Sequence, residues 1–325
     1  MYSIITPYLV PNNLNKVKNI GDAFIYDACE KLIKTKAAFY FSQWEELTED
    51  KIEKINSTKF LIIAGANILK DNMNICKNFS EKTLVLIKVP IILAGIGHYG
   101  IKKAVTKLSN ESQSLLFKLL ERFEFISVRC NESKRFIIDS NQSFQKKIIM
   151  TGCPGSFSVD GINNKFNQSL NENCKLVSTI TERGYLNLQL KGLGLIKKIY
   201  PNKYLTVSIH QNYNSTELLD FFKKNEIKVF VSNNYNDYIR FYSECDLHIG
   251  NRIHAHLKFL SMGIKSYLLP FDLRQVFFSE CYKFPLITKI PCNEIDNYDF
   301  EIYTKHIKTI SKNMDFFIKK IHNIL

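Results

Sequence analysis

Residues 246–274 constrain the fold more than any other stretch of the chain. A short apolar run, Asp246-Leu247-His248-Ile249, leads into Gly250-Asn251-Arg252-Ile253-His254-Ala255-His256. An amphipathic segment then continues to Gly263, and a second apolar run ends at Leu268-Leu269-Pro270-Phe271-Asp272. The pattern predicts a strand, a helix and a second strand, the unit from which parallel sheets are built. In an open α/β sheet the ligand crevice lies beyond the strands' carboxyl ends, where helix amides point at anions. Here the turn carries an arginine and a histidine, so the segment points to an anion-handling active site.

Helical register separates the two histidines of this turn. At about 100° per residue, Ile253, Leu257 and Leu260 share one face, and His256 falls on the flank between Leu260 and Phe259. His256 therefore reads as structural. His254 falls on the opposite flank with Lys258 and Ser261, one turn from the helix start, within reach of a bound ligand. The i, i+2 relation puts the two rings on different flanks, and no carboxylate stands at usable spacing, so no metal site is expected from His248, His254 and His256.

With 325 residues the chain is long enough for two domains, since single cores rarely grow past about 250 residues. Its eight cysteines include no C-x-x-C pair, which argues against a zinc knuckle or a disulfide framework and for a reducing, cytoplasmic compartment. The first residues lack the basic and apolar regions of a secretion signal. The longest apolar passage, residues 84–97, is interrupted by Lys88 and Pro90 and falls short of the roughly 20 residues that span a bilayer. A net charge of +13 favours anionic partners. The lysines are scattered, however, and no nucleic-acid reading motif accompanies them, so nucleic acid is not expected as a partner.

Along the chain, short branched-aliphatic runs alternate with helical patterns. Phe60-Leu61-Ile62-Ile63 leads into Ala64-Gly65-Ala66-Asn67, and Leu84-Val85-Leu86-Ile87 and Ile91-Ile92-Leu93 precede Ala94-Gly95-Ile96-Gly97. All three read as parallel strands, with ligand-facing loops of small residues. A helix near 112–123, a strand over 125–129, a helix from Asn131 and a strand over 148–150 complete one Rossmann-like domain, residues 1–165. The polar stretch 160–173 reads as a linker. A second series, with strands near 176–180, 204–210, 228–232, 246–249 and 264–269, forms another Rossmann-like domain over 172–295. The two domains of this α/β protein face each other across a cleft. Ile307, Ile310, Met314, Phe317, Ile321 and Ile324 predict a helix over 300–325 that packs on the body of the protein, back toward the first domain.

These residues resemble the polysaccharide pyruvyl transferase family. The likeness rests on Asn19-Ile20-Gly21-Asp22, the loop 64–67, Ala94-Gly95-Ile96-Gly97, Ser127-Val128-Arg129 with Ser133, and Gly152-Cys153-Pro154. Its strongest part is Arg252-Ile253-His254-Ala255, continuing through Gly263 to Asp272 and Arg274. The resemblance implies a GT-B-like fold, with the acceptor on the side of the first domain and the donor on the side of the second. It also implies transfer of pyruvate, as a ketal, from phosphoenolpyruvate to a sugar of a surface glycan or its lipid-linked precursor, with no cofactor beyond that donor. Two positions depart from the family's pattern: Cys130 and Cys153 stand where aspartates are expected.

By this reading His254, Arg252 and Asp22 are the catalytic candidates. His254 is expected to be a general acid with a pKa near neutrality. Asp22 sits at a helix start, either as a cap or as a contact and base for the acceptor hydroxyl. Arg129, Arg183 and Arg274, together with His210, Asn67, Gly21 and Gly95, are the substrate-binding candidates, because guanidinium forks match carboxylate and phosphate. His98 is left as either cleft-lining or exposed. An acidic inner membrane face is the expected peripheral contact. The competing readings are a GT-B glycosyltransferase using a nucleotide sugar and a basic binding protein for an anionic polymer.

Overall fold

The computed structural model describes residues 1–7, 19–65, 67–73, 75–98, 107–157, 166, 174–180, 186–201, 204–210, 215–287 and 298–324. Arg183 and most of the linker 160–173 lie outside them. The chain begins with β1 (Ser3–Thr6), α1 (Ile20–Ile33), β2 (Phe39–Ser42), α2 (Glu49–Asn56), β3 (Leu61–Ala64), α3 (Glu81–Leu86) and β4 (Ile91–Ala94). It continues through α4 (Asn110–Arg122), β5 (Ile126–Val128), α5 (Asn131–Ser140) and β6 (Ile148–Met150). The second series is β7 (Lys175–Ile180), α6 (Leu186–Ile199), β8 (Tyr204–Ile209), α7 (Thr216–Lys224), β9 (Lys228–Phe230) and α8 (Tyr235–Ser243). It closes with β10 (Leu247–Gly250), α9 (Ile253–Ser261), β11 (Lys265–Leu268), α10 (Leu273–Tyr282) and α11 (Phe300–His322).

Every strand pairing is parallel. The first sheet runs β2-β1-β3-β4, and a bridge between Ile96 and Val128 carries it on to β5 and β6. The second runs β11-β10-β7-β8-β9. Each sheet reverses its winding once, the first between β1 and β3 and the second between β7 and β10. At such a switch point the two following connections leave in opposite directions and open a crevice at the strands' carboxyl ends. The start of α1, with Asp22, and Asn67 beyond β3 flank the first crevice, and the turn bearing Arg252 flanks the second.

One predicted strand is a helix. Leu84-Val85-Leu86 belongs to α3, which Ser80 caps by accepting the Thr83 amide at 3.4 Å. Leu84 is buried while Val85 and Leu86 are 59% and 49% exposed, a helical rather than an alternating pattern. A short continuous apolar run does not distinguish the two states; the serine cap decides between them.

The helix α1 joins the two sheets. Ile25, Cys29 and Ile33 pack in a core with Ile4 and Ile62 of the first sheet. Ile20, Ala23 and Phe24 pack with Val177, Tyr238, Tyr242, Ala255 and Phe259 of the second series. Phe24 meets the rings of His210, Tyr235 and Tyr242 at 5.8, 5.4 and 6.0 Å. The Tyr235 hydroxyl donates to Asp27 at 2.6 Å. The C-terminal helix α11 reaches back to the first series, where Asn313 Nδ2 donates to the Met150 carbonyl at 2.9 Å and Phe317 meets Phe123 edge-on.

Truncation of Phe24 to alanine would leave a void between the two series. We expect Phe24→Ala to lose about 3–5 kcal/mol, read as a lowered denaturant midpoint; an unchanged midpoint would show that α1 does not fasten the two halves.

Candidate active site

The site begins with the cap of α1. Asn19 accepts the Gly21 amide through Oδ1 at 3.2 Å and donates from Nδ2 to Asp22 Oδ2 at 2.9 Å. Capping therefore falls to Asn19, which leaves the Asp22 carboxylate free to face the second series. The Ile20 amide donates to the His210 carbonyl at 2.9 Å, pinning the helix start across the two halves. Gly21 fits closely here: a β-carbon on it would stand 3.4 Å from His210 Nδ1 and 3.7 Å from His254 Cβ.

Across from this cap, Arg252 is the N-cap residue of α9 and His254 lies in its first turn. Arg252 Nε donates to the Ile180 carbonyl at 3.0 Å, and its backbone amide to Thr179 Oγ1 at 3.4 Å. His254 Nδ1 stands 3.7 Å from Asp22 Oδ1, both side chains being 16% exposed. Thus the structure brings Asp22, Arg252 and His254 together from the two switch points.

Arg129, just past β5, is 4% exposed. One terminal nitrogen donates to Asn67 Oδ1 and to the His98 carbonyl, and the guanidinium lies 5.3 Å from the Phe278 ring centre. A β-carbon on Gly97 would overlap this guanidinium. Gly95, at φ +64°, could not carry a β-carbon without overlapping Pro154. Arg274 is held by Asp272, whose other oxygen accepts the Arg274 amide at 2.9 Å. Gln275 joins the two arginine-bearing turns of the second series: it accepts the Phe271 and Asp272 amides and donates to the Asn251 carbonyl. His210 is buried, with Nε2 2.5 Å from the Tyr242 hydroxyl. His98 is buried as well, its ring 4.4 Å from that of Phe136.

Of the buried nitrogens at this place, Arg129 Nε, His210 Nδ1, Arg252 Nη2 and His254 Nε2 have no hydrogen-bond partner among the described residues. A buried guanidinium N–H without a partner is costly, and the charges of Arg129 and Arg252 both bear on the Asp22 carboxylate. Burial raises the Asp22 pKa to about 6 against the opposing pull of Asn19, Arg252, Arg274 and Arg129. The same burial, reinforced by Arg129, Arg274 and Arg252, lowers that of His254 to about 3. An expectation from sequence is thereby corrected: without a ligand His254 is neutral, because it is buried and three cations bear on it. Arg252 is lowered by burial only to about 10 and stays charged.

A family model for polysaccharide pyruvyl transferase matches residues 19–272, from the cap of α1 to the cap of α10. The chain belongs to the polysaccharide pyruvyl transferase family. This makes it a transferase of the polysaccharide-modifying kind. No curated protein matches this family member in sequence. The UDP-GlcNAc 2-epimerase of Neisseria meningitidis, bound to UDP-GlcNAc, shares its fold at 12% identity and a TM-score of 0.54, over 99% of this chain and 100% of that one. MnaA of S. aureus, solved with UDP, does so at 10% identity and 0.52, over 100% and 98%. These likenesses show the GT-B-like architecture alone. Among the described residues no helix is long and apolar enough to cross a membrane.

Both departures from the family's pattern fall beside Arg129. Cys130 and Cys153 are buried, and Cys130 Sγ lies 3.1 Å from Ser133 Oγ. Asn67 and a carbonyl thus hold the guanidinium where a carboxylate would be expected. Sequence reasoning did not single out Asn19, Gly97, Thr179 or Gln275 as parts of the site. For Gln275 a local signal existed, since Asp272 three residues earlier completes a capping box.

Burial also lowers the pKa of His210, His248 and His256. Below about pH 6.5 the unfolded chain binds protons at these four histidines that the folded protein refuses. Stability should therefore fall as pH is lowered from about 6.5 toward 3, with raised Asp22 opposing this between about 4 and 6. Urea midpoints across that range check the sign; a midpoint that held constant would contradict it.

Proposed function

We propose that this chain transfers pyruvate, as a cyclic ketal, from phosphoenolpyruvate to two hydroxyls of a sugar in a surface glycan or its lipid-linked precursor. One observation carries the reading: the charges of Arg129, Arg252 and Arg274 bear on the Asp22–His254 pair, with nitrogens of Arg129, Arg252 and His254 unpartnered among the described residues. A small frame bearing both a carboxylate and a phosphate matches such a set of donors. Arg183 is a further proposed contact, and Gly21, Asn67, Gly95 and His210 wall the acceptor path. The first domain would hold the acceptor and the second the donor. The chain's positive charge suits a peripheral stay at an anionic cytoplasmic membrane face.

In this mechanism the donor's negative charge offsets the arginine field, so His254 gains a proton as the donor binds. His254 then delivers it to the methylene carbon, and a sugar hydroxyl adds to the oxocarbenium-like centre. Asp22, whose pKa lies near neutrality, accepts the hydroxyl's proton. The second hydroxyl displaces phosphate, which carries that hydroxyl's proton away as hydrogen phosphate, and the guanidinium groups stabilise the departing charge. The chemistry calls on no cofactor beyond the donor.

Incubation with phosphoenolpyruvate and candidate sugars should release phosphate and add the mass of one pyruvate ketal. Arg252→Ala and His254→Ala should each cost about 100-fold or more in kcat/KM while retaining the folded spectrum. If a nucleoside diphosphate raises the Tm and phosphoenolpyruvate does not, the chain is a nucleotide-sugar glycosyltransferase instead. Polymer binding that survives both substitutions and falls steeply with salt would mark a non-enzymatic binding protein.

Proton uptake gives a separate check. Calorimetric titration at pH 7 in buffers of different ionisation enthalpy should show on the order of one proton taken up per phosphoenolpyruvate bound. Affinity should weaken as pH rises, and His254→Gln should abolish the uptake. A binding heat independent of buffer would remove His254 as the acid.

A further inference from the structure

Behind the α9 turn, four side chains at 0% exposure form a continuous hydrogen-bonded chain that the mechanism does not use. Thr179 Oγ1 lies 2.8 Å from His248 Nε2, His248 Nδ1 lies 2.6 Å from Ser266 Oγ, and the same oxygen lies 2.6 Å from His256 Nδ1. Its members come from β7, β10, β11 and the first turn of α9. At its head the Arg252 amide donates to Thr179 Oγ1.

An amide can only donate, so one lone pair of Thr179 Oγ1 faces Arg252, and the chain takes one direction once the Thr179 proton is used as well. With Thr179 Oγ1 accepting from Arg252, the hydroxyl's own proton has one available acceptor among the described residues, the His248 Nε2 lone pair. His248 must then carry its proton on Nδ1 and donate to Ser266. Ser266 in turn donates to His256 Nδ1, which leaves the His256 proton on Nε2, an atom with no hydrogen-bond partner among the described residues. Ring packing holds both imidazoles, His248 stacked on Phe259 at 4.5 Å and His256 edge-on to Phe284 at 4.3 Å. Gly250 clears the space: a β-carbon there would overlap Thr179 Oγ1 and stand 2.7 Å from His248 Nε2.

We propose that Thr179, His248, Ser266 and His256 are positioning residues whose one-way hydrogen-bonded chain sets the start of α9 and so places Arg252 and His254. A fully buried polar chain contributes little net stability over an apolar filling. What it supplies is direction, because one arrangement of protons uses every link from the Arg252 amide to His256 Nδ1, and it goes with one placement of the helix start. Arg252 is tied to its head, His256 forms its tail, and His254 lies between them on the same turn.

Two readouts test the chain without turnover, and a third rests on the pyruvyl-transfer reading. Nitrogen-15 spectra of histidine-labelled protein, assigned with His248→Gln and His256→Gln, should show His248 protonated on Nδ1 and His256 on Nε2. Thr179→Val should disturb this pattern and speed hydrogen exchange at the Arg252 amide, with Thr179→Ser restoring both. In turnover, Thr179→Val should lower kcat by about 10-fold or more, and Thr179→Ser should stay near wild type. A proton on Nε2 of His248 in the wild type, or an Arg252 amide indifferent to Thr179→Val, overturns the proposal even if phosphoenolpyruvate is not the donor. Unchanged kcat in a pyruvyl-transferring Thr179→Val enzyme overturns the positioning role.

Discussion

The burial of Phe24 among His210, Tyr235 and Tyr242 is the contact on which the site depends. It belongs to a helix that follows the first strand of the first sheet, yet its ring sits in the core of the second series. A large aromatic taken out of water can outweigh the polar strain that a cleft accumulates. Because that ring is seated, the next turn upstream, with Asn19 and Asp22, is carried against the start of α9. The Asp22–His254 approach thus follows from apolar packing, and the backbone bond from Ile20 to His210 sets its register.

Electrostatics then does what packing alone does not. Three arginines leave strands of two different sheets and bear on one imidazole, while one of them, Arg274, is tied to Asp272. A histidine in that field is neutral and a carboxylate in the same burial is half-way to protonation near pH 6. Such a pair holds few protons until an anion arrives, and the anion itself changes the proton count. With Cys130 and Cys153 in place of two expected aspartates, the Arg129 guanidinium hydrogen-bonds to amide and carbonyl oxygens among the described residues.

The parts of the fold visible in sequence were those written in local patterns. The alternation of short apolar runs with helical periods announced a parallel α/β protein, and the small residues after the runs marked the crevice side. Register along α9 separated His256, which is fully buried, from His254, whose ring meets Asp22. Leu84 to Ile87 were misread because a continuous apolar run lacks a period, and the deciding bond came from Ser80 outside it. The neutral state of His254 was misread for a different reason. Its causes are burial first and then the charges of Arg129, Arg274 and Arg252, and no local pattern gives the burial or connects Arg129 and Arg274 to residue 254.

By itself the chain's order of residues determined which side chains stand at element ends: Asn67, Arg129, His210, Arg252 and Arg274 follow β-runs and Asp22 sits at a helix start, because strand and helix periods are local properties. Only the tertiary structure decided that these ends meet. Distances between turns far apart in sequence depend on how two sheets wind and on which core a shared helix enters. Proton affinities depend in turn on those distances and on the water excluded. That is why candidates for the site could be named from sequence, while their charge states could not.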